Sequence, residues 1–413
     1  MTDFRAAPVS RRTVLKGAAL GGVATFIAAC TGTRSSASPA SQAPAASGEP
    51  GTSEAPASSG PQEATGPLMF ANWPAYIDLA GDAGEAGEYQ AGSSPTLEEF
   101  QKQYGVEVDY QEKIGDNSSF VETIKPALVA GLPTGWDLIV LTDWMASKLV
   151  TSAWVEKIDQ ANVPNCVANV QDSLKGYPWD PNMEYHYPWQ SGMTGVGYNA
   201  KTLADNGIAE PTKIADLWNL PADKLTFLSE ARDTFGLGLL KLGYPADPEQ
   251  VTSEQLDAVA ADIQPLVDNG LRFTGNEYLQ DFAQKKVWAA FVWSGDLASS
   301  GGEDDRFIVP EEGCLIWTDN MMIPKGAANK YTAELMMDYV YDPKIAAQIA
   351  AYVYYISPVK GAAEEITAID PDAASNPLLF PDEATIAKQN SFQALSEEQE
   401  AQVNDLFATL SGL

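Results

Sequence analysis

The chain has 413 residues, of which 56 are acidic and 25 are basic, and its formal net charge is −31. This acidity argues against binding to nucleic acid, whose phosphates require a basic surface. His186 is the single histidine, which argues against Ser-His-Asp and Cys-His catalysis and against a multi-histidine zinc site. Carboxylate-only catalysis, as in glycosidases, stays compatible with the composition.

The amino-terminal 30 residues have the pattern of an export signal. Arg11 and Arg12 precede a run of small and apolar residues over 17–29, which predicts a twin-arginine signal. The run is too short to cross a bilayer, because a membrane-spanning helix needs ~20 residues. It ends in Ile-Ala-Ala-Cys at Cys30, which resembles the lipobox of bacterial lipoproteins. We therefore predict a lipoprotein signal over 1–30 and diacylation of Cys30, with an ordinary cleaved signal as the alternative.

Residues 31–66 consist almost entirely of Ser, Ala, Pro, Gly, Thr and Glu. Such a segment cannot bury a core, so we expect a disordered tether that holds a folded body off the membrane. The remaining roughly 350 residues suffice for two lobes. The body contains Cys166 and Cys314, whose wide separation shows no disulfide framework, and we expect both to be free.

Strand-like and helix-like patterns alternate along the body, which predicts an α/β architecture. The predicted strands cover 67–72, 106–112, 136–141, 225–228 and 287–293. The predicted helices cover 96–104, 120–130, a segment through 148–150, 231–242, 253–269, 333–341 and 343–352. A glycine-rich segment, 187–199, is expected to cross from one lobe to the other, and 317–324 to return.

Aromatic and acidic residues recur together where the predicted strands end. These positions are Trp73 and Tyr76, Thr142 and Trp144, Glu230 and Asp233, Trp293 and Asp296, and Trp317 and Asp319. Ligands of open α/β sheets bind outside the carboxyl ends of the strands. We therefore expect a ligand cleft between two lobes that close about a hinge.

The body resembles the spermidine/putrescine-binding proteins of the periplasmic-binding-protein superfamily, which have type II lobes. The resemblance covers 67–395 and depends on the order and spacing of several motifs. They are ANWPAYID at 71–78, WDLIVLTDW at 136–144, YPWQSGMTGVGYN at 187–199, LSEARDTFGLGLLKLGY at 228–244, VWSGD at 292–296, IWTDNMMIP at 316–324, DPKIAAQIA at 342–350 and LLFPDEATI at 378–386.

The resemblance implies a ligand-binding role for twelve residues. Trp73, Tyr76, Thr142, Trp144, Trp293, Trp317, Tyr355 and Gln393 would supply rings, a hydroxyl and an amide, and Glu230, Asp233, Asp296 and Asp319 would receive amino groups. Acids along a cleft would pair with the ammonium groups of a polyamine, and rings would cover its methylenes. Because an unpaired buried carboxylate is costly, we expect these acids to lie in a wet, open cleft until ligand binds.

The sequence also departs from the family pattern. Pro74 and Ala75 replace a hydroxyl and a polar or acidic residue, Asp143 and Trp144 replace a small polar residue and a tyrosine, and 79–94 is an acidic, glycine-rich insertion. The chain length of the ligand is therefore open, and agmatine or an ω-amino acid such as 4-aminobutyrate is possible.

The resemblance further implies the place of the protein in the cell. It would be a monomeric, cofactor-free and metal-free subunit on the outer face of the cytoplasmic membrane, delivering polyamine to an ABC permease and its ATPase. Its first lobe would comprise 67–188 and about 324–355, and its second 195–317 and about 360–413. The alternatives are a secreted, carboxylate-dependent glycoside hydrolase and a ligand-sensing lipoprotein.

Overall fold

The computed structural model describes residues 62–79, 94–392 and 395–412. The predicted signal over 1–30, lipidation at Cys30, most of the 31–66 tether, most of the 79–94 insertion and Gln393 lie outside these residues. Thr65, within the predicted tether, is hydrogen-bonded to the body: its amide donates to Thr332 Oγ1 at 2.9 Å and its hydroxyl to Asn329 Oδ1 at 2.8 Å. No helix among the described residues is both long and apolar enough to cross a bilayer.

Within the described residues, ten strands form one mixed sheet. They are β1 (Leu68–Asn72), β2 (Val108–Glu112), β3 (Leu138–Thr142), β4 (Tyr187–Asn199), β5 (Leu225–Leu228), β6 (Arg272–Thr274), β7 (Ala289–Trp293), β8 (Asp305–Ile308), β9 (Cys314–Met322) and β10 (Gln389–Asn390). The order is β2-β1-β3-β9-β4-β7-β5-β6, with β8 paired to β4 and β10 to β9. The α/β class predicted from the sequence is confirmed.

Helices cover the sheet and connect its strands. They are α1 (Pro95–Tyr104), α2 (Asn117–Ala130), α3 (Asp143–Thr151), α4 (Pro164–Asn169), α5 (Ala200–Asp205), α6 (Ala231–Lys241), α7 (Ser253–Asp268), α8 (Tyr278–Ala283), α9 (Ser294–Ser300), α10 (Lys330–Val340), α11 (Pro343–Val353), α12 (Ala362–Ile369), α13 (Pro371–Ala374), α14 (Glu383–Ile386) and α15 (Glu397–Ser411). Short 3-10 turns occur at Gln160–Asn162, Asp172–Leu174, Ile214–Asn219 and Ala222–Lys224.

Local signals explain why the predicted bounds differ from the observed ones by no more than a few residues. In α2, Asp116 caps the start by accepting from the Ser119 amide, and Gly131 ends the helix in the left-handed region at φ 67°. The apolar strand β3 is buried throughout, as expected for a strand covered on both faces. The sequence did not predict β6 or β8, which have three and four residues.

Two long antiparallel strands, β4 and β9, join two groups of parallel strands. We call β1–β3 with α1–α3 the first half, and β5–β7 with α6–α9 the second half. β4 pairs with β9 from Tyr187↔Met321 to Thr194↔Leu315, and its later residues pair with β7. β3 pairs with the end of β9, where Thr142 faces Asp319. The sheet is therefore continuous through both halves, and the lobe bounds of 67–188 with 324–355 and 195–317 with 360–413 stay a prediction.

Cys166 and Cys314 are free thiols and both are buried.

Candidate functional site

A cavity lies at the carboxyl ends of the strands of both halves, and its empty space of about 490 Å³ includes space open to solvent. Eleven of the twelve predicted ligand-binding residues line it, namely Trp73, Tyr76, Thr142, Trp144, Glu230, Asp233, Trp293, Asp296, Trp317, Asp319 and Tyr355. The twelfth, Gln393, is outside the described residues. Pro74, which the sequence marked as a departure, also lines the cavity, together with Asn117, Arg232 and Asn276, which the sequence did not single out.

Asp319 lines the cavity where β9 pairs with the end of β3. Thr142 Oγ1 donates to Asp319 Oδ1 at 2.8 Å, and the Tyr76 hydroxyl donates to Oδ2 at 2.9 Å. Burial raises the pKa of Asp319 to about 7, although the two hydroxyl donors act in the opposite direction. Neutral donors thus hold this carboxylate in a fixed orientation.

Asp233 lies in the first turn of α6, immediately after β5. It accepts from Thr194 Oγ1 at 2.8 Å and from the indole nitrogen of Trp293 at 2.9 Å. Thr194 in turn accepts from the Trp317 indole at 3.0 Å, so one hydroxyl links the acid to a second ring. Burial raises the pKa of Asp233 to about 6, against the effect of its donors.

Asp296 lies in the first turn of α9, after β7. Its Oδ2 accepts from Asn276 Nδ2 and from the Tyr278 hydroxyl, both at 2.6 Å, and its Oδ1 accepts from the Tyr355 hydroxyl at 2.7 Å. Burial raises the pKa of Asp296, and these donors lower it. Since a carboxylate has about four acceptor positions, this acid retains room for one further donor.

Asn117 joins the two halves across the cavity. Its Nδ2 donates to Thr142 Oγ1 at 2.9 Å in the first half and to Glu230 Oε2 at 3.2 Å in the second. Burial, and then the charge of Asp233, raise the pKa of Glu230 to about 7, while Arg232 acts against them. A single amide therefore orients a hydroxyl and an acid that belong to opposite walls.

Aromatic rings form the rest of the wall. Trp73 and Trp293, from opposite halves, meet edge-on with ring centroids 6.1 Å apart. The Tyr355 ring lies 5.1 Å from Tyr76 and 5.5 Å from Trp317. The cavity thus offers aromatic faces and edges between its acids, an arrangement that suits apolar groups adjacent to cationic ones.

Two glycines make room for this aromatic wall. A Cβ atom at Gly192 would lie 2.5 Å from the Trp317 ring, and one at Gly295 would lie 2.5 Å from the Tyr355 ring. Real Cβ atoms do not approach rings so closely, so a larger residue at either position would displace the ring. The glycine content of 187–199 is thereby explained in part by the cavity.

Arg232 and three other residues form a network at the edge of the cavity, which we call the rim network. The Arg232 guanidinium lies 3.5 Å from the centroid of the Trp144 ring and 3.5 Å from Glu400 Oε2. Lys148 Nζ lies 2.8 Å from Glu400 Oε1. Trp144 and Lys148 belong to the first half, Arg232 to the second and Glu400 to α15, so the rim network connects both halves through the C-terminal helix.

The expectation of acids in a wet, open cleft is wrong for this structure. Asp233, Asp296 and Asp319 are only 4, 6 and 4% exposed. The reason is that the halves are in contact, through Asn117 and Glu230 and through the edge of Trp73 on Trp293.

The described residues contain no group of three or more His, Cys, Asp or Glu side chains that could hold a metal ion.

Comparisons with known proteins agree with this architecture. Residues 96–381 match the sequence model of a family described as bacterial extracellular solute-binding protein. The spermidine/putrescine-binding periplasmic protein of Salmonella typhimurium is 26% identical over 324 residues, covering 78% of this chain and 85% of that protein. The putrescine-binding periplasmic protein PotF of Escherichia coli is 26% identical over 332 residues, covering 76% and 83%.

A solved structure shares the fold. The spermidine/putrescine ABC transporter substrate-binding protein PotD of Streptococcus pneumoniae superposes with a TM-score of 0.65 at 23% identity, covering 85% of this chain and 99% of that one. The two-lobed fold of type II periplasmic binding proteins, predicted from the sequence, is confirmed.

Proposed function

The chain belongs to the bacterial extracellular solute-binding protein family, and from this premise we propose that it binds a polyamine, spermidine or putrescine, for an ABC importer. A solute-binding protein is not an enzyme, and the glycoside hydrolase alternative is therefore wrong. The observation that carries the proposal is the alternation of acids and indole rings around one cavity, with Asp233 between Trp293 and the Thr194–Trp317 pair.

The chemistry of a polyamine matches this alternation. Each ammonium would pair with a carboxylate, and the methylenes between them would lie on the rings, where a cation–π contact contributes roughly 0.5–2 kcal/mol. Micromolar affinity requires about 8 kcal/mol in total. A ligand that contacts Asp319 and Asp233 at once would stabilise the closed arrangement of the halves.

A second candidate is an ω-amino acid such as 4-aminobutyrate. Arg232 favours it, because a buried guanidinium lines the same cavity and could pair with a ligand carboxylate. Its pairing with Glu400 weighs against this candidate, since that acid already neutralises much of the charge of the guanidinium. Agmatine, which has a cation at each end, would fit the acids but not this guanidinium.

Calorimetry separates these ligands. The chain from residue 31 onward is titrated with spermidine, putrescine, agmatine, 4-aminobutyrate and a neutral sugar. We expect micromolar binding of putrescine or spermidine and no heat from the sugar. Binding of 4-aminobutyrate alone would support the second candidate, and binding of the sugar alone would overturn both.

We also propose that the chain is exported by the twin-arginine route and anchored through Cys30, so that it works beside an ABC permease and its ATPase. The support is the sequence Arg11-Arg12 before a short apolar run that ends in Cys30. Two acyl chains give stable anchoring, whereas one gives only marginal binding. The Cys30→Ser variant is expected to leave the membrane fraction. Retention of that variant on membranes would contradict the anchor, and loss of polyamine uptake on deletion would distinguish transport from signalling by a sensory lipoprotein.

A further inference from the structure

A second cavity lies behind the aromatic wall of the first. It lies between β4, the end of α10, α11 and the segment 357–359, and its empty space of about 190 Å³ includes space open to solvent. No charged residue is found among the described residues that line it. Trp189 and Gln190 both line it although they are consecutive in β4, because a register shift between Pro188 and Gln190 interrupts the regular alternation of the strand.

Two residues that line this cavity each have a buried polar atom with no partner within the described part of the protein. These atoms are the indole nitrogen of Trp189 and the Oε1 atom of Gln190, and both side chains are 2% exposed. One is a hydrogen-bond donor and the other is an acceptor. Buried polar groups without a partner are rare in native proteins, because their desolvation is not compensated.

We propose that this second cavity is a binding site for an ordered water molecule that bridges Trp189 and Gln190. The water would accept from the Trp189 indole and donate to Gln190 Oε1. Ser357 also lines the cavity, and its hydroxyl accepts from the Val359 amide at 3.3 Å, which leaves the hydroxyl proton to donate to the same water. Three hydrogen bonds are the usual number for a buried water.

The residues that line the second cavity favour binding of water over binding of a charged or apolar solute. A charged solute would find no countercharge here, and an apolar one would leave the donor and the acceptor unpaired. The remaining lining is aliphatic apart from Trp189, Gln190, Ser357 and Tyr341, and the Tyr341 hydroxyl already donates to the Pro188 carbonyl at 2.7 Å. A small molecule that both donates and accepts meets all of these requirements.

The proposed water would have a structural role beside the ligand cavity. The Trp189 ring meets Tyr76 edge-on at 6.4 Å, and Tyr76 holds Asp319. On the other side, the Ser191 and Ile356 amides and carbonyls exchange hydrogen bonds of 2.9 and 2.8 Å. The water would therefore fasten the crossing strand β4 to the segment that follows Tyr355, behind the wall that the ligand contacts.

A crystal structure of the full mature chain, at a resolution that shows ordered solvent, tests the proposal directly. We expect a density peak within about 2.7–3.2 Å of both the Trp189 nitrogen and Gln190 Oε1. An empty cavity, or side chains rotated so that protein atoms satisfy both groups, would overturn the proposal.

Coupling between the two side chains provides a second test, in solution. Trp189→Phe removes the donor but keeps a ring against Tyr76, and Gln190→Met removes the acceptor at similar length. Each variant is expected to lower Tm by about 2 °C. If one water bridges both groups, the Tm of the double variant falls by clearly less than the sum of the decreases in the two single variants.

The matched control is Trp218→Phe, whose indole donates to the Asp262 carbonyl at 3.2 Å and does not line the second cavity. The decrease in Tm caused by Trp218→Phe should add to the decrease caused by Gln190→Met. If the decreases in Tm caused by Trp189→Phe and Gln190→Met were additive, the proposed bridging water would be contradicted. Neither result depends on which solute the chain binds.

Discussion

Two regions of the molecule use the same recognition chemistry in different ways. Between α6 and α7, Lys241 Nζ lies 4.2 Å from the centroid of the Trp218 ring and 2.7 Å from both oxygens of Asp262. In the ligand cavity, indole rings again adjoin carboxylates, but the donors to Asp233, Asp296 and Asp319 are hydroxyls, an indole and an amide.

The difference shows how a protein can keep acidic side chains available to bind a ligand. Lys241 neutralises Asp262 within the fold, so that the ion pair serves only to join two helices. Neutral donors orient the acids of the cavity without cancelling their charge, and burial then raises their pKa values. The comparison predicts that changes in the cavity alter ligand affinity, whereas the same changes at the Lys241 site alter only stability.

The largest expected effect is that of Asp319→Asn. The amide cannot pair with an ammonium, and we expect affinity for the preferred polyamine to fall at least tenfold while the fold stays intact. Asp262→Asn is the matched control, expected to cost about 1 kcal/mol of unfolding free energy and to leave affinity unchanged. Calorimetry and thermal unfolding measure both. Wild-type affinity of Asp319→Asn would place the ammonium contact elsewhere.

The next effect is that of pH on affinity. The pKa values of Asp319 and Glu230 are raised to about 7 and that of Asp233 to about 6, so at lower pH a cation must displace protons in order to pair with these acids. The ammonium groups stay charged, with pKa values near ~10. Affinity for putrescine should rise about tenfold from pH 6 to pH 8 and then level off. An affinity that is constant over this interval would contradict the prediction.

The same acids should make the solute-free protein less stable as the pH rises. Their folded-state pKa values exceed the unfolded values of ~4, so the folded state binds more protons. The contribution of these acids to the free energy of unfolding is therefore fully present below about pH 4, and it is lost as the pH rises through 6 and 7. Thermal unfolding at several pH values, with and without putrescine, should show opposite trends for stability and affinity.

A smaller effect is expected from the indoles. Trp293→Phe keeps a ring but removes the hydrogen bond to Asp233 Oδ2, and we expect affinity to fall about threefold to tenfold. Trp218→Phe removes an equivalent ring nitrogen beside Lys241 and should leave affinity unchanged. Equal losses of affinity in both variants would mean that they act through general stability, and calorimetry with the same polyamine decides between the outcomes.

The smallest effect concerns the rim network. Glu400→Gln weakens the pairing with both Lys148 and Arg232 and should favour opening of the halves. We expect dissociation of the ligand to be about twofold faster, because Lys148 is exposed and ion pairs of this kind contribute only ~0.2–1 kcal/mol. Stopped-flow kinetics measures this rate. Lys201→Gln removes a surface ion pair with Asp205, neither of which lines the cavity, so this control variant should not change the dissociation rate.

The sequence predicted the lining of the cavity well at positions that follow or end a strand. Thr142, Trp293 and Asp319 follow or end apolar runs, and these runs locate the edge of the sheet where a site forms. Asn276 was missed because it follows β6, a strand of three residues that has no recognisable apolar run. Asn117 begins a helix, and its contact with Glu230 depends on how the halves meet.

Arg232 shows a different limit of prediction. It stands between two predicted acids in the sequence, yet helical geometry alone does not reveal that it covers Trp144 of the opposite half. The burial of the acids was mispredicted for a related reason. Local sequence determines the chemistry of each wall, but the distance between the walls is a property of tertiary contacts.

The continuity of the sheet has a consequence for protein engineering. β9 pairs with β3 of the first half, β4 pairs with β7 of the second half, and the two strands pair with each other, so a cut that separated the halves would leave long, apolar strand edges exposed to solvent. Such edges promote aggregation. Neither half is thus a transferable module, and fusion partners or reporter domains are better inserted at surface turns than at a boundary drawn between the two.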